Sequence, residues 1–215
     1  MLSLLDRRLY LCLPLREDLA TFVPAVLEGG VDVVQLREKV RPREDQVAPA
    51  KLLARICHDY GVPFVLNDDP TLAAEVGADG VHVGQDDLSV AYCRELLGEA
   101  AIVGLSTHSV VEFDGALAQP ATYFSAGPIE VTPTKVGRPA TGLDYALSCQ
   151  ARSDRPVFVT GGVNEANVAR LVGAGLRHFV VVRALTESSS PGQSARALRR
   201  ALDDALSAVT IQPSQ

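Results

Sequence analysis

The chain has 215 residues, 47% of them hydrophobic and 21% charged, with a formal net charge of −6. That balance is the one ordinary globular proteins carry and excludes a disordered or fibrous chain. The acidic surplus argues against non-specific nucleic-acid binding, which needs a basic field, so any anionic ligand must be held by local cations or a metal.

The N-terminal "MLSLLDRRLYLCLPLRED" is apolar but broken by Asp6, Arg7 and Arg8. It lacks the uninterrupted apolar region and small-residue cleavage site of a secretory signal, and no run reaches the roughly 18 apolar residues of a membrane helix. A cytoplasmic protein without a membrane partner is expected. Cys12, Cys57, Cys93 and Cys149 are widely scattered, which fits neither a metal knuckle nor a disulfide scaffold. They are expected to be reduced and mostly buried.

From there strand-like and helix-like segments alternate to the C-terminus. "RLYLCL" precedes the helix "EDLATFVPAVLEG", "VDVVQL" precedes "PREDQVAPAKLLARICHDY", and "PFVL" precedes "PTLAAEVG". Next come "GVHV" with "SVAYCRELLG", "AIVGL" with "VVEFDGALAQ", and "TYFSA" with "GLDYALSCQ". "PVFVT" with "NEANVARLVGAG" and "HFVVV" with "SARALRRALDDALSAV" complete the series. Glycines in "EGGVDVV", "EVGADGVHV" and "GAGLRHFVVV" stand where a helix stops and must tolerate a left-handed residue. Eight β-α units without a linker predict a single (β/α)8 TIM barrel over residues 1–215, the order of the tail from about 210 being left open. A doubly wound sheet is the competitor, but no GxGxxG follows the first strand.

In such a barrel the chemistry sits at the C-terminal ends of the strands. Strand one offers little there. Strand two runs into "QLREK", whose alternation puts Gln35, Arg37 and Lys39 on one side and Leu36 and Glu38 on the other. Two neighbouring cations suit a phosphate or diphosphate; a solvated strand end is the plainer alternative. Strands three and four end in "NDD" and "GQDD", so that Asp68 and Asp87 can reach one point. Two carboxylates with room for substrate oxygens and water match Mg2+ better than zinc, with Asp69 and Asp86 as helix-start or solvent-facing acids; that all four are caps stays open.

His82, between valines in "GVHVG", is expected to be a hydrogen-bonded core residue outside the site. Ser106 in "STH" can donate to a ligand oxygen, and His108 is undecided. No histidine pairs with a serine or cysteine at a readable spacing, so a hydrolase triad is unsupported.

After strand six, everything from Gly127 to Thr141 is expected to be loop, far longer than the roughly 2–6 residues usual for such connections, and long ordered loops tend to be functional. Within "GPIEVTPTK", Thr132, Thr134 and Lys135 offer two hydroxyls and a cation for closing over bound phosphates. Pro128 and Pro133 reduce the entropy lost on ordering it. "TGG", Thr160 to Gly162, lets backbone N–H groups approach an oxyanion at a helix start, a plain turn being the alternative.

In order, "QLREK", "NDD", "GADGVHVGQDD", "GLSTHS", "GPIEVTPTK", "VTGGVN" and "VVVRAL" resemble the thiamine-phosphate synthase family, over Val31 to about Leu185. The resemblance implies a barrel enzyme that joins a hydroxymethylpyrimidine diphosphate to a thiazole phosphate and releases pyrophosphate, with Mg2+ as cofactor. It implies pyrimidine diphosphate contacts at Gln35, Leu36, Arg37, Glu38, Lys39, Asn67, Ser106 and Lys135, of which Arg37, Lys39, Ser106 and Lys135 serve the chemistry. Asp68 and Asp87 fall on its metal ligands. Its thiazole phosphate site falls on Thr132, Pro133, Thr134, Gly162, Val182 and Arg183.

Two departures stand out: Glu130 and Val131 replace an aromatic residue and a proline common in the family's loop, and Arg183 stands where many members carry serine. A thiazole tautomerase, which needs no diphosphate or metal site, and a non-catalytic thiamine-phosphate-binding barrel are the competing functions. The expected partners are the two small-molecule substrates; a homo-oligomer is left open.

Overall fold

Each strand pairs in parallel with the next and the last returns to the first, in a computed structural model that describes residues 3–132 and 139–211. The strands are β1 (Leu9–Leu13), β2 (Val33–Leu36), β3 (Phe64–Asn67), β4 (Gly80–Val83), β5 (Ile102–Thr107), β6 (Tyr123–Ala126), β7 (Val157–Val159) and β8 (His178–Val181). Between them run α1 (Leu19–Glu28), α2 (Arg43–Asp59), α3 (Pro70–Val76), α4 (Val90–Leu97), α5 (Val110–Leu117), α6 (Leu143–Arg152) and α7 (Glu165–Gly173). The expected (β/α)8 barrel is therefore the fold observed. After β8 the chain makes α8 (Arg183–Thr186), which the sequence reading did not anticipate, before the long α9 (Pro191–Ile211).

Strand alternation divides the interior in two. Outward residues such as Leu11, Leu36, Leu66, Val81 and Phe124 meet the helices in one continuous buried layer, where burial of a large apolar side chain stabilises by about 1.5–3 kcal/mol. Phe113 of α5 meets Phe124 edge to face with ring centroids 5.4 Å apart. Inward residues Tyr10, Val33, Val65, Ile102, Tyr123 and Phe158 fill the barrel, and Leu4 packs with them. α9 buries Ala195, Leu198 and Leu202, the one-faced spacing of an amphipathic helix, and packs on α1 and α7.

The N-terminal end of the barrel is tied by polar contacts. The Asp32 carboxylate accepts from the Arg8 and Leu9 amides at 2.9–3.0 Å and from Arg199 Nη1 at 2.8 Å. Burial pushes its carboxyl up, against the pull of those donors. His178 Nδ1 meets the Arg7 carbonyl at 2.7 Å while Nε2 faces Arg8 Nη1 at 3.0 Å. Burial holds the His178 imidazole down at about 4. All four cysteines are buried and none is in a disulfide, as expected. Among the described residues no helix is long and apolar enough to cross a membrane.

Candidate active site

The opposite, C-terminal end of the barrel opens into a cavity of about 800 Å³. Its walls bring together most of the residues expected from sequence: Gln35, Arg37, Lys39, Asn67, Asp68, Asp87, Ser106, Thr132, Gly162, Val182 and Arg183 all line it. Pro133, Thr134 and Lys135 lie outside the described residues.

The β2 end follows from the pleat. Gln35 is buried and faces inward, Arg37 follows it half-buried, and the exposed Lys39 pairs with the carboxylate of Asp68, the residue after β3. Among the described residues no carboxylate pairs with Arg37, which leaves its guanidinium facing the cavity. Leu36 and Glu38, also expected at the diphosphate, are not among the residues that line the cavity. Leu36 belongs to the outer hydrophobic layer. Glu38 turns back, its carboxylate accepting from the Leu15 amide at 3.2 Å and from the Val40 and Arg41 amides at 2.8 and 3.1 Å. Those amides hold its carboxyl below the usual range despite partial burial. Glu38 thereby braces the loop that carries Lys39, and strand alternation places Leu36 and Glu38 on the far side from Gln35 and Arg37.

Asp68 is held at φ 64°, the one non-glycine residue with positive φ among those described. That conformation is uncommon for a side-chain-bearing residue. It is fixed by the Asp68 amide donating to the His82 carbonyl at 2.8 Å. The turn aims Asp68 at Asp87, whose own Oδ2 accepts from the Gly84 amide at 2.7 Å. Burial raises the Asp68 carboxyl; Lys39 opposes the rise, and the hydrogen-bonded carboxyl of Asp87 adds to it. Two facing carboxylates that repel one another are a donor set a hard dication relieves, so Asp68 and Asp87 fit Mg2+ with further ligands from substrate and water. Among the described residues no three His, Cys, Asp or Glu side chains gather at one point. Asp69 is the cap expected of it: its carboxylate accepts from the Leu72 amide at the start of α3 at 2.9 Å.

Across the mouth, Gly161 and Gly162 turn with φ 100° and 77°. A Cβ on Gly161 would stand 2.7 Å from the Ile129 nitrogen, so the loop after β6 lies directly on this turn. The Glu130 carboxylate sits against Gly162 and 3.7 Å from Arg170 Nη2 of α7. Thr160 Oγ1 also faces this region, buried and without a hydrogen-bond partner among the described residues. Arg183 begins α8, exposed at the rim with no ion pair among the described residues.

Sequence reasoning passed over the floor. β1 was expected to contribute little, yet Tyr10 and Cys12 both line the cavity. His82 is a buried, hydrogen-bonded histidine as expected, but it also lines the cavity and its Nε2 lies 2.8 Å from Ser106 Oγ. The signal was the inward parity of each residue on its strand, which needs the barrel's register to be read. His108 joins the wall with Glu112, its Nδ1 2.9 Å from Oε2.

Residues 9–185 match the family described as thiamine monophosphate synthase. The thiamine-phosphate synthase of Acidothermus cellulolyticus is 43% identical over 198 residues, covering 90% of this chain and 93% of the relative. That of Mycobacterium tuberculosis is 40% identical over 213 residues, covering 93% and 96%. Among solved structures, a thiamine phosphate pyrophosphorylase from Pyrococcus furiosus superposes with a TM-score of 0.81 at 26% identity, over 93% of this chain and 97% of that one. A 3-hexulose-6-phosphate synthase, at 18% identity and a TM-score of 0.66, shares the fold.

Proposed function

The chain belongs to the thiamine monophosphate synthase family, and on that premise we propose that it joins a hydroxymethylpyrimidine diphosphate to a thiazole phosphate, giving thiamine monophosphate and pyrophosphate. One observation carries the reading: the cations of β2 and the carboxylates that end β3 and β4 share one wall of the cavity, and the Gly161–Gly162 turn forms another. A single mouth thus offers two separate places for anions.

Arg37 can grip the diphosphate bidentately and Lys39 adds a point charge. Ser106 donates from the floor; Lys135, the further cation expected from the sequence, lies outside the described residues. Mg2+ held by Asp68 and Asp87 would supply neutralisation of the charge that grows on the departing pyrophosphate. When the carbon–oxygen bond of the pyrimidine methylene breaks, its electron pair leaves with pyrophosphate. The thiazole nitrogen lone pair then forms the new carbon–nitrogen bond. No proton has to move, which accords with a cavity built of cations, hydroxyls and carboxylates. Orientation of two substrates and preorganised charge supply the catalysis.

The test is pyrophosphate release with both substrates and Mg2+. Release that needs all three supports the proposal. Conversion of a thiazole substrate alone would favour the tautomerase reading, and tight binding of thiamine phosphate without turnover the non-catalytic one.

A further inference from the structure

The cavity floor is one chain of hydrogen bonds. Cys12 Sγ lies 3.2 Å from Gln35 Oε1, and Gln35 Nε2 lies 2.9 Å from the Tyr10 hydroxyl. Tyr10 and Tyr123 meet hydroxyl to hydroxyl at 2.8 Å, and Tyr123 meets His82 Nδ1 at 2.9 Å. His82 Nε2 then reaches Ser106 Oγ at 2.8 Å, and Ser125 Oγ donates to the same oxygen at 3.3 Å.

Protons can be assigned along this chain because one end is fixed. An amide nitrogen only donates. The Tyr10 oxygen therefore accepts from Gln35, and its own proton goes to Tyr123. The Tyr123 proton goes to His82 Nδ1, which must be the unprotonated nitrogen, so the imidazole proton sits on Nε2 and is given to Ser106. With both lone pairs of Ser106 engaged, by His82 and Ser125, the serine proton is directed to the cavity. Were the Gln35 amide reversed, every bond would reverse with it, and Ser106 would face the cavity as an acceptor, which repels an anionic oxygen.

The barrel is shaped around this arrangement. Tyr123 and His82 stack with ring centroids 5.4 Å apart, and they can do so because the neighbouring residue is Gly104, where a Cβ would strike both rings. Burial raises both tyrosine hydroxyls above their ordinary range, so they stay protonated and able to relay a hydrogen bond.

We infer that Gln35, Tyr10 and Tyr123 act as positioning residues: together they lock His82 in its Nε2-protonated tautomer and so keep the Ser106 hydroxyl a donor toward an anionic oxygen in the cavity. The tautomer follows from the hydrogen bonds with the Gln35 amide set as it stands, Oε1 toward Cys12 and Nε2 toward Tyr10. That the anion is a diphosphate rests on the function proposed above.

Nitrogen NMR of histidine-labelled, substrate-free protein tests the first part, with His82 assigned from the signals lost in His82→Gln. The inference expects a neutral ring protonated at Nε2. A ring protonated at Nδ1, or at both nitrogens, near neutral pH overturns it, whatever reaction the enzyme performs. Kinetics tests the second part. Ser106→Ala should lower kcat/KM about 10- to 150-fold, the loss of a hydrogen bond to a charged group, and Tyr123→Phe about 3- to 10-fold. Because Tyr123 acts through Ser106, Tyr123→Phe should change kcat/KM less than about 2-fold in the Ser106→Ala background. Full additivity of the two substitutions would make Tyr123 merely structural and overturn the positioning role. If Tyr123→Phe does not fold, Tyr10→Phe interrupts the same chain one bond further away and takes its place in the cycle.

Discussion

The Arg170 guanidinium stands 3.7 Å from the Glu130 carboxylate, and that carboxylate rests against Gly162. The loop after β6 is thereby tied to the glycine turn after β7 by the residue that departs from the family pattern. An acid beside a proposed phosphate site is tolerable if a cation neutralises it, and Arg170 does so.

The two partners should therefore act with opposite sign. Removing Glu130 (Glu130→Ala) leaves Arg170 as a surplus positive charge and should lower the KM for the thiazole phosphate about 2- to 5-fold. Arg170→Ala leaves the acid uncompensated and should raise it by a similar factor, corresponding to about 0.5–1 kcal/mol. Both effects should fade in high salt, since the pair is solvent-exposed. Steady-state kinetics at two ionic strengths checks this; a shift of the same sign in both variants would mean that the pair serves the loop's shape and not the field.

The second prediction concerns the carboxylate pair. Asp87→Ala should abolish most activity at ordinary Mg2+, because one of the two proposed ligands is gone. Its fold should survive, since Asp87 is exposed at the mouth and its tie to the backbone is a hydrogen bond from the Gly84 amide. Thermal unfolding and a Mg2+ titration of activity separate the two effects. Near-normal turnover at low Mg2+ would remove Asp87 from the metal site.

Much of this was legible in the sequence because period and position carried it. Alternation along "QLREK" separated Gln35, Arg37 and Lys39, which line the cavity, from Leu36 and Glu38, which do not. Asp69 was readable as a cap because caps obey local rules. Tyr10 and Tyr123 were not legible as a polar pair: an aromatic residue on a buried strand looks the same whether its ring faces the helices or the barrel axis. Only the closed register brings together hydroxyls from β1 and β6, which are far apart in sequence. α8 escaped for a different reason, since four residues are too short to show a helical period.

The third prediction uses the far end of the barrel, away from the site. His178 keeps its folded-state value at about 4 through burial, against an ordinary value of 6.5, with the Arg7 carbonyl favouring the charged form and the nearby Arg8 and Arg177 disfavouring it. On acidification the unfolded chain takes up the proton first. Stability should thus be unaffected by this residue above about pH 6.5, fall as the pH drops from there to about 4, and change no further below. The full loss is roughly 3 kcal/mol. Denaturant unfolding across pH 7 to 4 should show about one fewer proton taken up in His178→Gln than in the parent. An unchanged pH slope would mean that His178 is protonated in the folded state.

Arg183 gives the last prediction. It opens α8 at the end of β8, lines the cavity, and among the described residues is engaged by no carboxylate. An arginine at the rim that no described carboxylate neutralises either faces water or waits for an anion. Its place on the wall of the cavity favours the second, at the thiazole phosphate rather than the diphosphate, because β7 and β8 adjoin and the Gly161–Gly162 turn follows β7. A charge-assisted contact there, in place of the neutral hydroxyl common in the family, is worth roughly 1.5–3 kcal/mol if partly desolvated, or about a 10- to 150-fold effect on affinity. Arg183→Ser should then raise the KM for the thiazole phosphate, leave that for the pyrimidine diphosphate nearly unchanged, and weaken the salt dependence of thiazole phosphate binding. Michaelis constants for both substrates across a salt series measure all three. If the two constants rise together, or neither moves, the side chain is no phosphate ligand, and the anion is left to the backbone of the glycine turn.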